Sequence, residues 1–215
     1  MHLDDVKEYA GGMSVQRAVL DSALEIIAAD GPEAVSMREV ARRAGVSHQA
    51  PYHHFADRSG IFAAIAAEGF TALAESFRQV MATDQRPSAR CFEAYVRMAM
   101  EHPGHFRVMF RADLCGITTH PATSAAAEAG FNELLRMVER TIGKPKAPND
   151  AFIWASLMWS TAHGFATLLV DGPLIERLPP GVNVQQHIAD VVGLMSEMVD
   201  RQAAAMGLTP RRAAD

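Results

Sequence analysis

Residues 36–55 read Ser36-Met-Arg-Glu-Val-Ala-Arg-Arg-Ala-Gly-Val-Ser-His-Gln-Ala-Pro-Tyr-His-His-Phe55, and they have the makings of two short helices crossing at a tight turn. Ser36 stands where a helix N-cap is needed, with Glu39 three positions on in capping-box spacing. Met37, Val40, Ala41 and Ala44 fall on one helical face. Two helices that cross closely need small residues where they touch, which Ala41 and Ala44 supply. Gly45 can take the positive φ of a tight turn, and Val46 fills the space beneath it. Ser47 is placed to cap a third helix running to about Phe55. Pro51 near its start removes one backbone donor, for which a small penalty and a stiffened first turn are expected.

Working outward, Val15, Val19, Ala23, Ile26 and Ile27 recur at helical spacing and predict a helix over Ser14–Asp30, ended by Gly31-Pro32. On the other side, Asp57 or Ser59 can cap a helix from Gly60 to about Thr83, with Ile61, Phe62, Ile65, Phe70, Leu73 and Phe77 inward. The polar stretch Asp84-Gln85-Arg86-Pro87 predicts a domain boundary. Beyond it, helices are expected over 88–101, 103–112, 122–142, 149–171 and 184–206, separated by segments such as Gly143–Pro148 and Pro179-Pro-Gly181. No alternating strand pattern and no hairpin turn pair occurs. The expected fold class is therefore all-α, with about nine helices, and the RRAAD tail is expected to fray.

The chain has 215 residues, 49% of them hydrophobic, so it can bury a substantial core as one or two domains. Its formal net charge of −5 gives no general attraction to nucleic acid or anionic membrane, and any DNA binding must come from a local patch. No apolar run is as long as the roughly 18–20 residues of a membrane helix, and MHLDDVKEYA is unlike a signal peptide, so a cytoplasmic location without membrane attachment is expected. Cys91 and Cys115 lack disulfide-scaffold or metal-finger spacing.

The order of capping residue, Arg, small apolar residue, Ala-Gly-Val-Ser, Tyr52-x-His54-Phe55 and then Asp57-Arg58 resembles the DNA-binding domain of the TetR family, across residues 13–73. The resemblance implies an N-terminal three-helix helix-turn-helix domain and a C-terminal helical ligand-binding and dimerisation domain over 84–208. It implies that the third helix lies in the major groove, with His48, Gln49, Ala50 and His53 at base edges or their flanks and Ser47 at the helix entrance. Gln49 has the chemistry to pair in bidentate fashion with adenine. Tyr52 and His54 match the family's phosphate contacts, joined by Arg38 and by Arg58, where the family more often has Lys. Phe55 is expected in the core, and Tyr52 is open to the same reading. Adjacent His53 and His54 point about 100° apart on a helix and have no third ligand nearby, so no metal is expected. Arg42 and Arg43 are read as solvated. Over residues 34–60, four arginines stand against Glu39 and Asp57, a balance of +2, so binding calls for two half-sites presented by a homodimer.

The C-terminal half is rich in Met and aromatic residues, which suits either an adaptable apolar pocket or ordinary core packing. Phe106, Phe110, Trp159 and His163 are the candidate ligand-binding residues. Trp159, His163 and Gly164 resemble the Trp-His-Gly signature of one subclass of TetR-like C-terminal domains. Being four apart, Trp159 and His163 share a helix face; His163 either bonds a ligand or packs at a helix crossing or dimer seam. His102 and His105 flank Pro103-Gly104, with Arg107 and Arg111 following, at a corner that either senses an anion or hinges two helices. Apolar stripes Ile153, Leu157, Ser160 and Gly164, and Ile188, Val191, Val192, Met195 and Val199, are expected to pair across a two-fold axis.

No GxSxG, HExxH, phosphate loop or dinucleotide fingerprint is present, so neither an enzyme nor a cofactor is expected. The resemblance implies a ligand-responsive repressor that binds near-palindromic operator DNA and is released by a small apolar or amphipathic effector. The alternative is a helical small-molecule-binding protein with a degenerate DNA-binding domain, against which the capping serines, Gly45 and Tyr52 argue.

Overall fold

The helical periodicity of the sequence is carried into a computed structural model that describes residues 14–83, 87–143, 147 and 149–208. Ten α-helices and no strand occur among the described residues. Of the expected linker Asp84–Pro87, residues 84–86 lie outside them, as do most of the 143–148 segment, the RRAAD tail and the first ten residues, whereas Pro87 opens a helix.

Two compact units arise, the first from the residues up to Gly69 together with Gly104–Ala125, the second from Phe70–Pro103 and the residues from Ala126 on. In the first unit, α1 (Val15–Asp30) is capped by Ser14, whose hydroxyl accepts the Arg17 N–H at 3.2 Å. Gly31 at φ 83° ends α1 and leads through the 3-10 turn Pro32–Ala34 to α2 (Met37–Arg43). Then follow α3 (Ala50–His54) and α4 (Arg58–Thr83), whose start is capped by Asp57 Oδ1 accepting the Gly60 N–H at 3.0 Å. Val19, Ile26, Ile27, Val40, Phe55, Ile61, Phe62 and Ile65 form one core. Each such side chain contributes about 1.5–3 kcal/mol by leaving water.

The segment after α5 (Pro87–Glu101) belongs to this core too. In α6 (Pro103–Met109), a Cβ added to Gly104 would stand 3.1 Å from the Leu24 side chain, so glycine eases the close approach of α6 to α1. The one helix expected over 103–112 is in fact two. Arg111 leaves helical geometry (φ −96°, ψ 82°) and its guanidinium folds onto Asp113, so a separate α7 (Ala112–Cys115) begins there. At the start of α8 (Pro121–Ile142), the buried Thr123 hydroxyl donates to the Ala63 carbonyl at 2.9 Å.

In the second unit, α5 packs against both α9 (Asp150–Val170) and α10 (Val184–Ala205). Ser88 and Ser196 share a hydrogen bond of 3.0 Å in the buried α5–α10 contact. The α9 stripe lies outward as expected, with Ile153 58% and Leu157 53% exposed. The α10 stripe requires correction: Val192 and Val199 are buried within the protomer, and the outward apolar residues are Leu194 and Met198. Contact with α5 claims the face that carries the β-branched residues. By length and composition α4 and α9 could each cross a membrane, but more than half of the α4 window is buried in the protein.

Candidate functional site

Local backbone requirements place the α2–α3 pair. Ser36 Oγ accepts the Glu39 N–H at 3.2 Å and starts α2. Gly45 adopts φ 66°, and the Val46 N–H reaches back to the Ala41 carbonyl at 3.0 Å, closing the turn between the helices. The Glu39 side chain does not complete a capping box: it bonds Arg42 at 2.7 and 2.8 Å and Arg43 at 2.9 Å. These bonds, Arg42's first and Arg43's second, hold the Glu39 carboxyl down to about 2.

Ser47 does not cap α3. Gln49 occupies the cap position without a side-chain bond, while the Ser47 carbonyl accepts the Ala50 N–H at 3.0 Å and the Gln49 carbonyl accepts that of Tyr52 at 3.1 Å. Pro51 sits in the first turn, where its missing N–H would have had no helical partner, so the expected penalty is avoided. Its ring is buried and its carbonyl accepts the Phe55 N–H at 2.8 Å. Pro51 and Phe55 thus root α3 in the core, whereas Ser47, His48, Gln49, Tyr52, His53 and His54 are exposed and Ala50 is half-buried. Tyr52 is 44% exposed, which separates it from the core aromatic Phe55 at 5%.

The arginines divide sharply. Arg42 pairs with Glu39, and Arg43 with Glu39 and, at 3.1 Å, Asp30. Arg58 turns inward, donating to the Pro32 carbonyl at 2.8 Å with its guanidinium 4.9 Å above the Phe62 ring. As found, it ties the start of α4 to the turn before α2. Arg38 is exposed and pairs with no acidic group among the described residues.

Of the four candidate ligand-binding residues, Phe106 and Phe110 meet edge-to-face at 5.8 Å in the first unit. Trp159 and His163 lie in the second unit, where both meet the buried Tyr95 of α5. Trp159 Nε1–H donates to the Tyr95 hydroxyl at 3.3 Å, and that hydroxyl lies 2.8 Å from His163 Nδ1. Since the indole can only donate, the hydroxyl is free to give its proton to Nδ1, which places the imidazole proton on Nε2. Burial pushes the His163 pKa down and that of Tyr95 up, so both are neutral near pH 7. Phe131 lies beside this cluster, edge-on to Trp159 at 6.3 Å and tilted against Phe152 at 5.8 Å. Tyr95 escaped the sequence reading as a site residue; two polar rings four apart facing one helix called for a shared partner.

At the α6 corner, His105 Nε2 lies 3.4 Å from Glu68, which also pairs with Arg17 at 2.8 Å. Arg107 donates to the Ile27 carbonyl and Arg111 reaches Asp113 and Glu33. Both arginines are turned to protein acceptors, the arrangement of a packed junction. No group of three or more potential metal ligands occurs among the described residues.

Residues 19–65 match the family of bacterial regulatory proteins, tetR family, and residues 88–191 match the tetracyclin repressor-like C-terminal domain. No curated protein matches. Among solved structures, a protein of unknown function from Rhodococcus sp. RHA1 is 27% identical, covering 91% of this chain and 98% of its own, with a TM-score of 0.71. The fatty acid degradation regulator FadR from Bacillus halodurans (12% identity, 87% and 95% covered, TM-score 0.67) shares the fold. So does the TetR family transcriptional regulator PfmR from Thermus thermophilus (20%, 85% and 97%, 0.62). The chain thus carries a TetR-family N-terminal DNA-binding domain followed by a TetR-like C-terminal domain.

Proposed function

We propose that this protein is a ligand-responsive repressor that binds a near-palindromic operator as a homodimer and releases it when a small apolar or amphipathic effector binds the C-terminal domain. The observation that carries the reading is the division of α3. Pro51 and Phe55 are buried in the core, while the polar side chains between and before them are left to solvent. An aromatic ring and two imidazoles held outward on a helix anchored from behind by Pro51 and Phe55 suit a face that meets a partner.

In this reading His48, Gln49, Ala50 and His53 face the bases, with Gln49 the principal reader. Ser47, Tyr52, His54 and Arg38 contact the backbone, with Arg58 reaching in from the start of α4. The effector meets the aromatic cluster around Trp159 and His163, the counterpart of the Trp-His-Gly signature, and the separate Phe106–Phe110 pair is also assigned to effector contact. The imidazole Nε2–H suits a carbonyl or hydroxyl on an otherwise apolar molecule. The outward apolar residues of α9 and α10 support dimerisation, and the protein acts in the cytoplasm. The test is selection of bound fragments from a randomised palindromic library by purified protein. Recovery of one two-fold symmetric sequence is expected; recovery of random sequence would defeat the reading.

A further inference from the structure

Arg42 and Arg43 follow Glu39 by three and four positions on α2, and both turn back onto it. Arg42 Nη2 and Nε meet the two carboxylate oxygens at 2.7 and 2.8 Å, a bidentate pair. Arg43 Nε donates to one of those oxygens at 2.9 Å, and its Nη2 reaches Asp30 at 3.1 Å. The two arginines stand on different sides of the helix. Arg43 is held towards the end of α1 by Asp30. Arg42 stands one turn beyond Arg38, so these two share a helix face. Arg38 is exposed and pairs with no acidic group among the described residues. The Arg42 side chain is itself 69% exposed, so its engagement comes from the carboxylate and not from burial.

A guanidinium paired in this way has given its planar fork to the carboxylate, and that fork is what a phosphate would otherwise engage. The Glu39 carboxyl is held far below the ordinary carboxylate range by the same bonds, so it stays ionised at neutral pH. Local charge follows the geometry: of the three arginines on α2, two answer to Glu39 and only Arg38 is left to a partner outside the helix.

Resting on the reading that α3 enters the operator and Arg38 meets its backbone, we propose that Glu39 is a positioning residue that withholds Arg42 from DNA phosphates and so holds down affinity for DNA of any sequence. Phosphate contacts carry no sequence information, and a second arginine on the Arg38 face would strengthen binding to operator and to bulk DNA alike. With Arg42 withheld, a larger share of operator affinity falls to the base-edge contacts of Gln49 and its neighbours. Glu39 thereby acts through Arg42 and touches no DNA itself.

The test measures binding of wild-type protein to the specific fragment it selects and to a duplex of the same composition in scrambled order. Fluorescence anisotropy is read at several salt concentrations, and the folding of each variant is checked by circular dichroism. Glu39→Gln is expected to raise affinity for the scrambled duplex at least about threefold at the lowest salt. It is also expected to steepen the fall of log affinity with log salt by about 0.9 for each arginine that reaches a phosphate. Glu25→Gln, at an exposed position on α1, adds the same charge to the same unit and is expected to leave the slope nearly unchanged. Combining Glu39→Gln with Arg42→Gln is expected to restore the wild-type slope. Arg42→Gln alone is expected to keep the wild-type slope, and this variant decides the matter if Glu39→Gln fails to fold. An unchanged affinity and slope in Glu39→Gln would overturn the inference. So would an equal change in Glu25→Gln, a steeper slope that survives loss of Arg42, or a shallower slope in Arg42→Gln alone, which would show Arg42 already on a phosphate. Wild type that retains neither duplex at any salt would overturn DNA binding itself and this inference with it, a distinguishable outcome.

Discussion

The Tyr95 hydroxyl joins two helices by serving Trp159 and His163 at once. Replacing Tyr95 with Phe keeps the ring and deletes both bonds. A loss of about 1–3 kcal/mol is expected, seen as a lower midpoint in thermal unfolding followed by circular dichroism. An unchanged midpoint would show that the bonds contribute nothing net. His163 has a lowered pKa in the folded protein, so the unfolded chain binds the extra proton first as pH falls. This site's contribution to stability is therefore complete above the unfolded value of about 6.5 and is lost as pH falls below it. His163→Gln is expected to flatten the decline in unfolding midpoint between pH ~7.5 and ~5.5; an equal decline in both proteins would assign it to other groups. At this scale the sequence was only partly legible. That Trp159 and His163 share a face follows from their spacing. Which of several aromatic residues joins them depends on how α5 packs on α9, a long-range contact with no local signal. Arg58 shows the same limit: its bond to the Pro32 carbonyl and its place over the Phe62 ring depend on how the start of α4 meets the turn before α2, which no local signal gives.

At the scale of the element, the two serines that open α2 and precede α3 are alike in sequence and differ in role. Ser36 caps a helix, whereas Ser47 leaves α3 uncapped by any side chain. Ser36→Ala is expected to cost about 1 kcal/mol in chemical denaturation. Ser47→Ala is expected to leave stability nearly unchanged while weakening DNA binding; equal destabilisation by both would contradict this assignment. Helix order and type were legible because apolar periodicity and capping residues are local. The break at Arg111 was not, since it depends on a guanidinium folding onto Asp113 two residues later. Nor was the membership of α6 and α7 in the first unit, where Gly104 packs closely on Leu24 after a long excursion of the chain.

For the whole molecule, the outward residues Leu157 on α9 and Leu194 on α10, each more than half exposed, mark where a second copy would bury apolar area. Leu157→Arg with Leu194→Glu is expected to shift the protein from dimer to monomer in sedimentation velocity and to abolish operator binding, with helical content retained. A dimer that survives both changes would place the interface elsewhere. An apolar stripe does not declare whether it faces its own protomer or another: Ile153 and Leu157 lie outward on α9, whereas Val192 and Val199 of the α10 stripe pack inside the protomer. The central claim, specific DNA reading by α3, is tested most directly by electrophoretic retardation of a fragment from upstream of the protein's own gene and of a randomised operator library. Wild type is run beside Gln49→Ala and Tyr52→Ala at two salt concentrations. The account predicts salt-sensitive, competitor-resistant retention by wild type that both substitutions weaken; retention of neither the fragment nor any library member by wild type would contradict it.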